Sequence, residues 1–158
     1  MNLKIPEEIH RICKKHGMRL SLAESCTGGL IGHYLTALPG ASGFLDAGVI
    51  AYSAGAKIKL LGIPKKTLSE YGVVSEETAR LMAEKIRLLT KTDVALSTTG
   101  NLGPDVLEDR QTGLVYIAVS TRNRTVSRKY LFRGNRSQVK EKASLSALDF
   151  LAEVIGND

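Results

Sequence analysis

Two hydrophobic rhythms alternate along this chain. Residues 4–16 place Ile5, Ile9 and then Ile12 or Cys13 on one side, a spacing that predicts a helix, and Gly17 is a natural stop. The run 18–24, MRLSLAE, reads as a buried strand, and 28–38 as a helix ended by Pro39-Gly40. Segment 44–53, FLDAGVIAYS, suits a strand with a glycine interruption. Residues 54–62 return to a helical pattern, and Pro64 starts another short turn.

The second half repeats this order. Ser75 has the chemistry of an N-cap, and Glu76 and Glu77 suit the positive end of the helix that follows. Ala79, Leu81, Met82, Ile86 and Leu89 give that helix an apolar face through about Thr90. Residues 93–99, DVALSTT, read as a strand before a polar loop at 100–113. Segments 114–121 and 125–132 predict a hairpin around Arg122-Asn123-Arg124. Asn135 or Ser137 begins the last helix, apolar at Val139, Ala143, Leu148 and Leu151. No linker or repeat interrupts 1–158, so the pattern predicts a single α/β domain. Helices should cover both faces of a sheet whose later strands break the parallel order.

Composition narrows the class. Of 158 residues, 43% are hydrophobic and 24% charged, the usage of an ordinary soluble protein. No apolar run approaches the roughly 20 residues that span a bilayer, so no membrane partner is expected. The start, MNLKIPEEIHRICKK, is too charged for a secretory apolar core, and a cytoplasmic location is expected. Cys13 and Cys26 have no metal-ligand spacing and are not expected to pair, so neither a metal nor a disulfide is implied. The net charge of +6 permits a phosphate-bearing ligand. Much of the excess lies in Arg122, Arg124, Arg128, Lys129 and Arg133, which reads as the wet face of an edge strand. With three Phe, five Tyr and no Trp there is little for base stacking, and no nucleic-acid partner is expected.

Candidate chemistry gathers at Ala23-Glu24-Ser25-Cys26-Thr27-Gly28-Gly29, where a strand should give way to a helix. Backbone N–H groups from Cys26 to Gly29 are placed to stabilise a developing oxyanion or an anionic ligand, and Gly28 and Gly29 permit close approach. CTGGLIGH lacks the GK[ST] ending of a P-loop. A serine hydroxyl at 25 needs a base to become a nucleophile. The three histidines, at 10, 16 and 33, read as surface or packing residues. Lys57, at the start of an apolar helix, is the better base, because burial lowers an amine's pKa toward neutrality; Lys59 faces elsewhere. Tyr52, at the strand end, is placed to orient Lys57 or relay a proton. Cys26 is an alternative nucleophile, since a thiol beside a helix start can have a lowered pKa.

The blocks AESCTGGL, PGASGF, GVIAYS followed by AK and LLGI, GVVSEETARLMAE and TGNLGP carry a further signal through their order and spacing. Together they resemble the C-terminal domain of the competence/damage-inducible protein CinA, a family also found alone as nicotinamide-nucleotide amidase. The resemblance runs from about Leu20 to Ala118 and continues through RGNRSQV. It implies a three-layer α/β/α fold with a mixed, largely parallel sheet, and hydrolysis of a carboxamide to carboxylate and ammonia without a cofactor. By motif, Ser25 becomes the nucleophile, Lys57 its base with Tyr52 assisting, and the Cys26 and Thr27 amides an oxyanion hole. Gly28, Gly29, Ser42, Thr99, Gly100, Gly103 and Arg136 become substrate-binding candidates, with Arg136 suited to a phosphate. The implied partner is a pyridine nucleotide or related small amide, and a homo-oligomer is implied.

Two segments depart from the family pattern. After YS, an Asn and an acidic residue are replaced by Ala54-Gly55. After Thr99-Gly100-Asn101-Leu102-Gly103-Pro104, a glycine pair and a Lys-Pro-x-Gly segment are replaced by DVLEDRQTGL. Asp105, Glu108 and Asp109 add negative charge there, which Arg110 can offset. These changes leave open a different amide substrate, or a nucleotide-binding or regulatory domain without catalysis.

Overall fold

The computed structural model describes residues 3–157; Met1, Asn2 and Asp158 of the single-domain reading lie outside the described residues. The elements are α1 (Lys4–His16), β1 (Leu20–Glu24), α2 (Leu30–Thr36), β2 (Leu45–Ile50), α3 (Ala54–Leu61), α4 (Lys65–Tyr71), α5 (Glu76–Thr90), β3 (Val94–Gly100), β4 (Leu114–Thr121), β5 (Thr125–Leu131) and α6 (Arg136–Gly156). The five strands lie in the order β2-β1-β3-β4-β5. β1 runs parallel to β2 and β3, while β4 is antiparallel to both β3 and β5. The sheet is therefore mixed and largely parallel, with β4 alone reversed.

Helices cover both faces. α1, α2 and α6 pack on the face where Leu20 and Leu22 of β1, Val94 and Leu96 of β3 and Val115, Ile117 and Val119 of β4 point. Most of the alternate positions are small, Ser21 and Ala23, Ala95 and Ser97, Ala118 and Ser120, with Tyr116 a large exception. Helix α5 lies on that floor of small side chains through Ala79, Ala83, Met82 and Ile86. Ser97 Oγ donates to the Ala79 carbonyl at 2.6 Å, which ties helix backbone directly to strand. One face thus holds bulky aliphatics and the other holds a close-lying helix.

Local chemistry explains most helix ends. Ser75 accepts from the Thr78 amide and caps α5, and Asn135 caps α6 in a reciprocal box with Gln138. Two expectations change. Pro64 precedes a full helix, α4, where a short turn was expected, because Leu68 supplies a buried anchor. Helix α2 begins at Leu30 rather than 28, since Gly28 and Gly29 have φ of +57° and +94° and belong to a turn.

Candidate active site

β1 leads on to β2 on one side and its neighbour β3 leads on to β4 on the other, so the connections leaving the C-terminal ends of these two strands diverge. Such a switch point opens a crevice beyond the carboxyl ends of the strands. Ser25 is the first residue past β1. Its N–H donates to the Thr98 carbonyl at 3.1 Å, and its own carbonyl accepts from Gly28 N–H at 3.1 Å. The turn that carries the side chain is thereby fixed by main-chain contacts.

Lys57 is the fourth residue of α3, whose N-cap Ser53 accepts from the Ala56 amide. It is 1% exposed, among the most enclosed large side chains of the protein. Its Nζ lies 2.8 Å from Ser25 Oγ, 2.9 Å from the Ala51 carbonyl and 3.5 Å from the Tyr52 carbonyl. Protonated, the ammonium donates its three hydrogens to these three oxygens; neutral, it keeps two hydrogens for the carbonyls, and its lone pair can accept from the Ser25 hydroxyl. Burial lowers the Lys57 pKa from 10.5 to about 8. The group can thus lose its proton near neutral pH.

Burial acts oppositely on the neighbouring thiol. Cys26 is 6% exposed, and desolvation pushes its pKa up to about 12. It stays a protonated thiol, the unreactive form.

The amides expected to line an oxyanion hole divide into two groups. Among the described residues, the N–H groups of Cys26 and Thr27 donate to no other residue. Gly28 N–H is used by Ser25, and Gly29 N–H by the Glu24 carboxylate at 2.9 Å. Glu24, which the sequence reading passed over, is 3% exposed at the end of β1. It also accepts from the Ile31 and Gly32 amides and from Thr27 Oγ1. The start of α2 is therefore closed by a carboxylate from the strand, not open to a ligand. The available signal was an acidic residue ending an apolar strand just before a Gly-Gly helix start.

Ser25, Cys26, Tyr52 and Lys57 border a cavity of about 200 Å³. Its opposite wall is Val73, Val74 and Thr99 to Gly103, and Asp105, Leu107 and Arg136 complete the rim. Several predicted contacts take another form here. Tyr52 is 57% exposed and its hydroxyl accepts from Arg136 at 2.7 Å; toward Lys57 it presents only its carbonyl. Arg136 also donates to the Gly103 carbonyl at 2.6 Å, so it bridges two rims of the cavity. The Thr99 hydroxyl gives its proton to the Val73 carbonyl at 2.6 Å and holds the wall rather than a ligand. At Gly100 a Cβ would stand 2.7 Å from Val115 and 2.8 Å from the Leu114 carbonyl, so this glycine serves strand packing. Ser42 lies with Gly43 and Phe44 at the opposite end of the sheet, in a separate hollow beside α1, and does not reach Ser25.

The departing loop is held at both ends. Asn101 donates to the Arg110 carbonyl and accepts from Gly103 N–H. Glu108 accepts from the Val73 and Val74 amides at 3.0 and 3.3 Å, fastening the loop to the opposite wall. Arg110 reaches the Tyr71 carbonyl rather than a neighbouring acid.

A three-layer α/β sandwich with a serine and a buried lysine paired beyond the end of β1 defines the class of the protein. Its sequence places it in one family within that class. Residues 2–155 match the model of the CinA C-terminal domain, and the chain belongs to that family. It is 48% identical over 136 residues, 85% of its length, to a CinA-like protein of Syntrophus aciditrophicus, covering 32% of that protein. It spans only 38% of a relative from Caldicellulosiruptor saccharolyticus that it matches at 43% identity over 157 residues. The chain is thus well short of the curated relatives' full length. Among solved structures, a CinA superfamily protein from Klebsiella pneumoniae 700603 superposes with a TM-score of 0.96 at 30% identity, covering 100% of both chains. The competence damage-inducible protein A of Klebsiella pneumoniae gives 0.93 at 34% identity, covering 96% of this chain and 94% of its own. Among the described residues no helix is long and apolar enough to cross a membrane.

Proposed function

We propose that this chain hydrolyses the carboxamide of a pyridine nucleotide, of the nicotinamide mononucleotide type, to the carboxylate and ammonia. One observation carries the reading: a lysine amine 1% exposed, with its pKa lowered to about 8, sits 2.8 Å from the Ser25 hydroxyl. In the proposed path Lys57 Nζ takes the Ser25 proton as Oγ attacks the carboxamide carbon. The carbonyl oxygen becomes an oxyanion on the side of the cavity bordered by Cys26, with the Cys26 amide as donor and the Thr27 amide next behind it. Lys57 passes its proton to the leaving nitrogen, ammonia departs, and an acyl-serine remains. A water then gives a proton to Lys57, attacks the ester and releases the carboxylate as the proton returns to Ser25.

The cavity sets how the substrate sits. At about 200 Å³ it is smaller than the roughly 300–1,000 Å³ that encloses a drug-sized ligand. It suits the carboxamide-bearing ring, leaving ribose and phosphate at the rim beside Arg136. A second reading, nucleotide binding without turnover, draws on Asp105 at the same rim and on the two donors Arg136 already commits to Gly103 and Tyr52. Ammonia release from a panel of pyridine nucleotides and simpler amides tests the first. Binding without ammonia, unchanged in Ser25→Ala, would establish the second.

The choice of nucleophile has its own check. Cys26→Ala is expected to retain hydrolysis within about threefold, since a buried thiol with its proton in place contributes no attack. An inactive, folded Cys26→Ala protein would transfer the nucleophile's role to the thiol.

A further inference from the structure

We propose that Glu24 is a positioning residue for the oxyanion hole, holding the Cys26 and Thr27 amides in place through the cap it forms on α2. The inference rests on the amidase reading above and adds the part of the molecule that fixes its transition-state geometry.

Four donors converge on this one carboxylate. Oε2 accepts from Thr27 Oγ1 at 2.7 Å, Gly29 N–H at 2.9 Å and Ile31 N–H at 3.2 Å, while Oε1 accepts from Gly32 N–H at 2.9 Å. Helix α2 has only seven residues and its N-cap, Gly29, supplies no side chain. The strand residue therefore does what a local cap does elsewhere.

The cap is linked to the catalytic turn at both of its ends. Thr27 Oγ1 gives its proton to Glu24, so at 2.8 Å from Thr98 Oγ1 it receives the Thr98 proton. Thr98 also holds Ser25 through its carbonyl. The chain Glu24–Thr27–Thr98–Ser25 closes around Cys26, and the Cys26 and Thr27 amides, which donate to no other residue, lie within it. Thr27 and Thr98 are both 0% exposed, so water does not compete for these bonds. Cys26 borders the cavity while Glu24 and Thr27 lie behind it, which makes the effect of the carboxylate indirect.

A cap that only stabilises the fold alters how much protein is folded. A cap that positions amides alters how well folded protein stabilises developing charge. Glu24→Gln separates these roles, because one end of the glutamine must present N–H groups to a backbone donor. The expected result is a 10- to 100-fold fall in kcat with KM within about threefold, the scale of weakening an oxyanion donor by slight misplacement. The acidic limb set by Lys57 should stay in place. The rate of Ser25 phosphonylation by a fluorophosphonate, whose phosphoryl oxygen uses the same amides, should fall in parallel, measured per folded molecule.

Thr27→Val removes the link to the turn while leaving three amides on the carboxylate, and serves if Glu24→Gln does not fold. It should slow phosphonylation in the same direction with a melting temperature near wild type. Wild-type phosphonylation rates per folded molecule in the variants would overturn the proposal. If wild type labels at Ser25 but hydrolyses no amide, the amidase reading fails and the labelling comparison still decides the role of Glu24. If wild type shows neither reaction, both fall.

Discussion

Ser25→Ala is expected to lower kcat for carboxamide hydrolysis by roughly 10⁴- to 10⁶-fold while leaving substrate affinity within about threefold. The size follows from the lack of a substitute at the site. Cys26 keeps its proton, with a pKa near 12, and the Thr99 hydroxyl is already turned to the Val73 carbonyl. The fold should not suffer, since the backbone N–H and carbonyl of Ser25, not its hydroxyl, make the contacts that set the turn. Steady-state ammonia release together with calorimetric binding of the uncleaved ligand is the measurement. Full turnover by the alanine protein would remove the serine from the reaction altogether.

Lys57→Met carries the second large effect, and it acts on two observables in opposite directions. Loss of the base should lower kcat by about 10²- to 10⁴-fold. In the wild type the rate should rise with pH as the amine loses its proton near pH 8, then level off; the methionine protein should lack that limb. Stability moves the other way. The folded-state pKa of about 8 lies below the ordinary 10.5, so between those values the unfolded chain binds more protons than the native one. Wild-type stability therefore increases with pH across that window, and at neutral pH the buried charge costs roughly 3 kcal/mol. Methionine fills similar space without a charge, though the Ala51 carbonyl loses its donor. A net gain of about 1–2 kcal/mol at pH 7 is expected, together with loss of the rise between pH 8 and 10.5. Thermal melts across pH 7 to 10.5 test this; a wild-type curve flat over that range would mean the amine is solvated.

The elements that the sequence announced are those whose signals are local. Ser75 with Glu76 and Glu77 marks the start of α5, and Asn135 marks α6, because a cap is written in adjacent residues. Lys57 and Ser25 were legible for a different reason: the motif blocks around them resemble a family, and spacing alone would not have paired residues 32 apart. What the sequence did not disclose depends on contacts made across the fold. Glu24 looks like an ordinary strand end until Ile31 and Gly32 bring their amides to it. The acceptors that hold Lys57 are the main-chain carbonyls of Ala51 and Tyr52, which no residue type advertises. Ser42 lies in a motif block near the site in sequence, yet the β1–β2 crossover carries it to the far end of the sheet.

The floor of small side chains beneath α5 has a consequence for the crevice. Val73 and Val74 form one of its walls and enter α5 directly through Ser75. With the Ser97 hydroxyl gripping the Ala79 carbonyl and the Thr99 hydroxyl gripping that of Val73, this wall is indexed to the sheet by two short side chains two residues apart on one strand. The gauge of the slot is thus set by the reach of two hydroxyls, one bond from each strand residue to the main chain of the opposing segment.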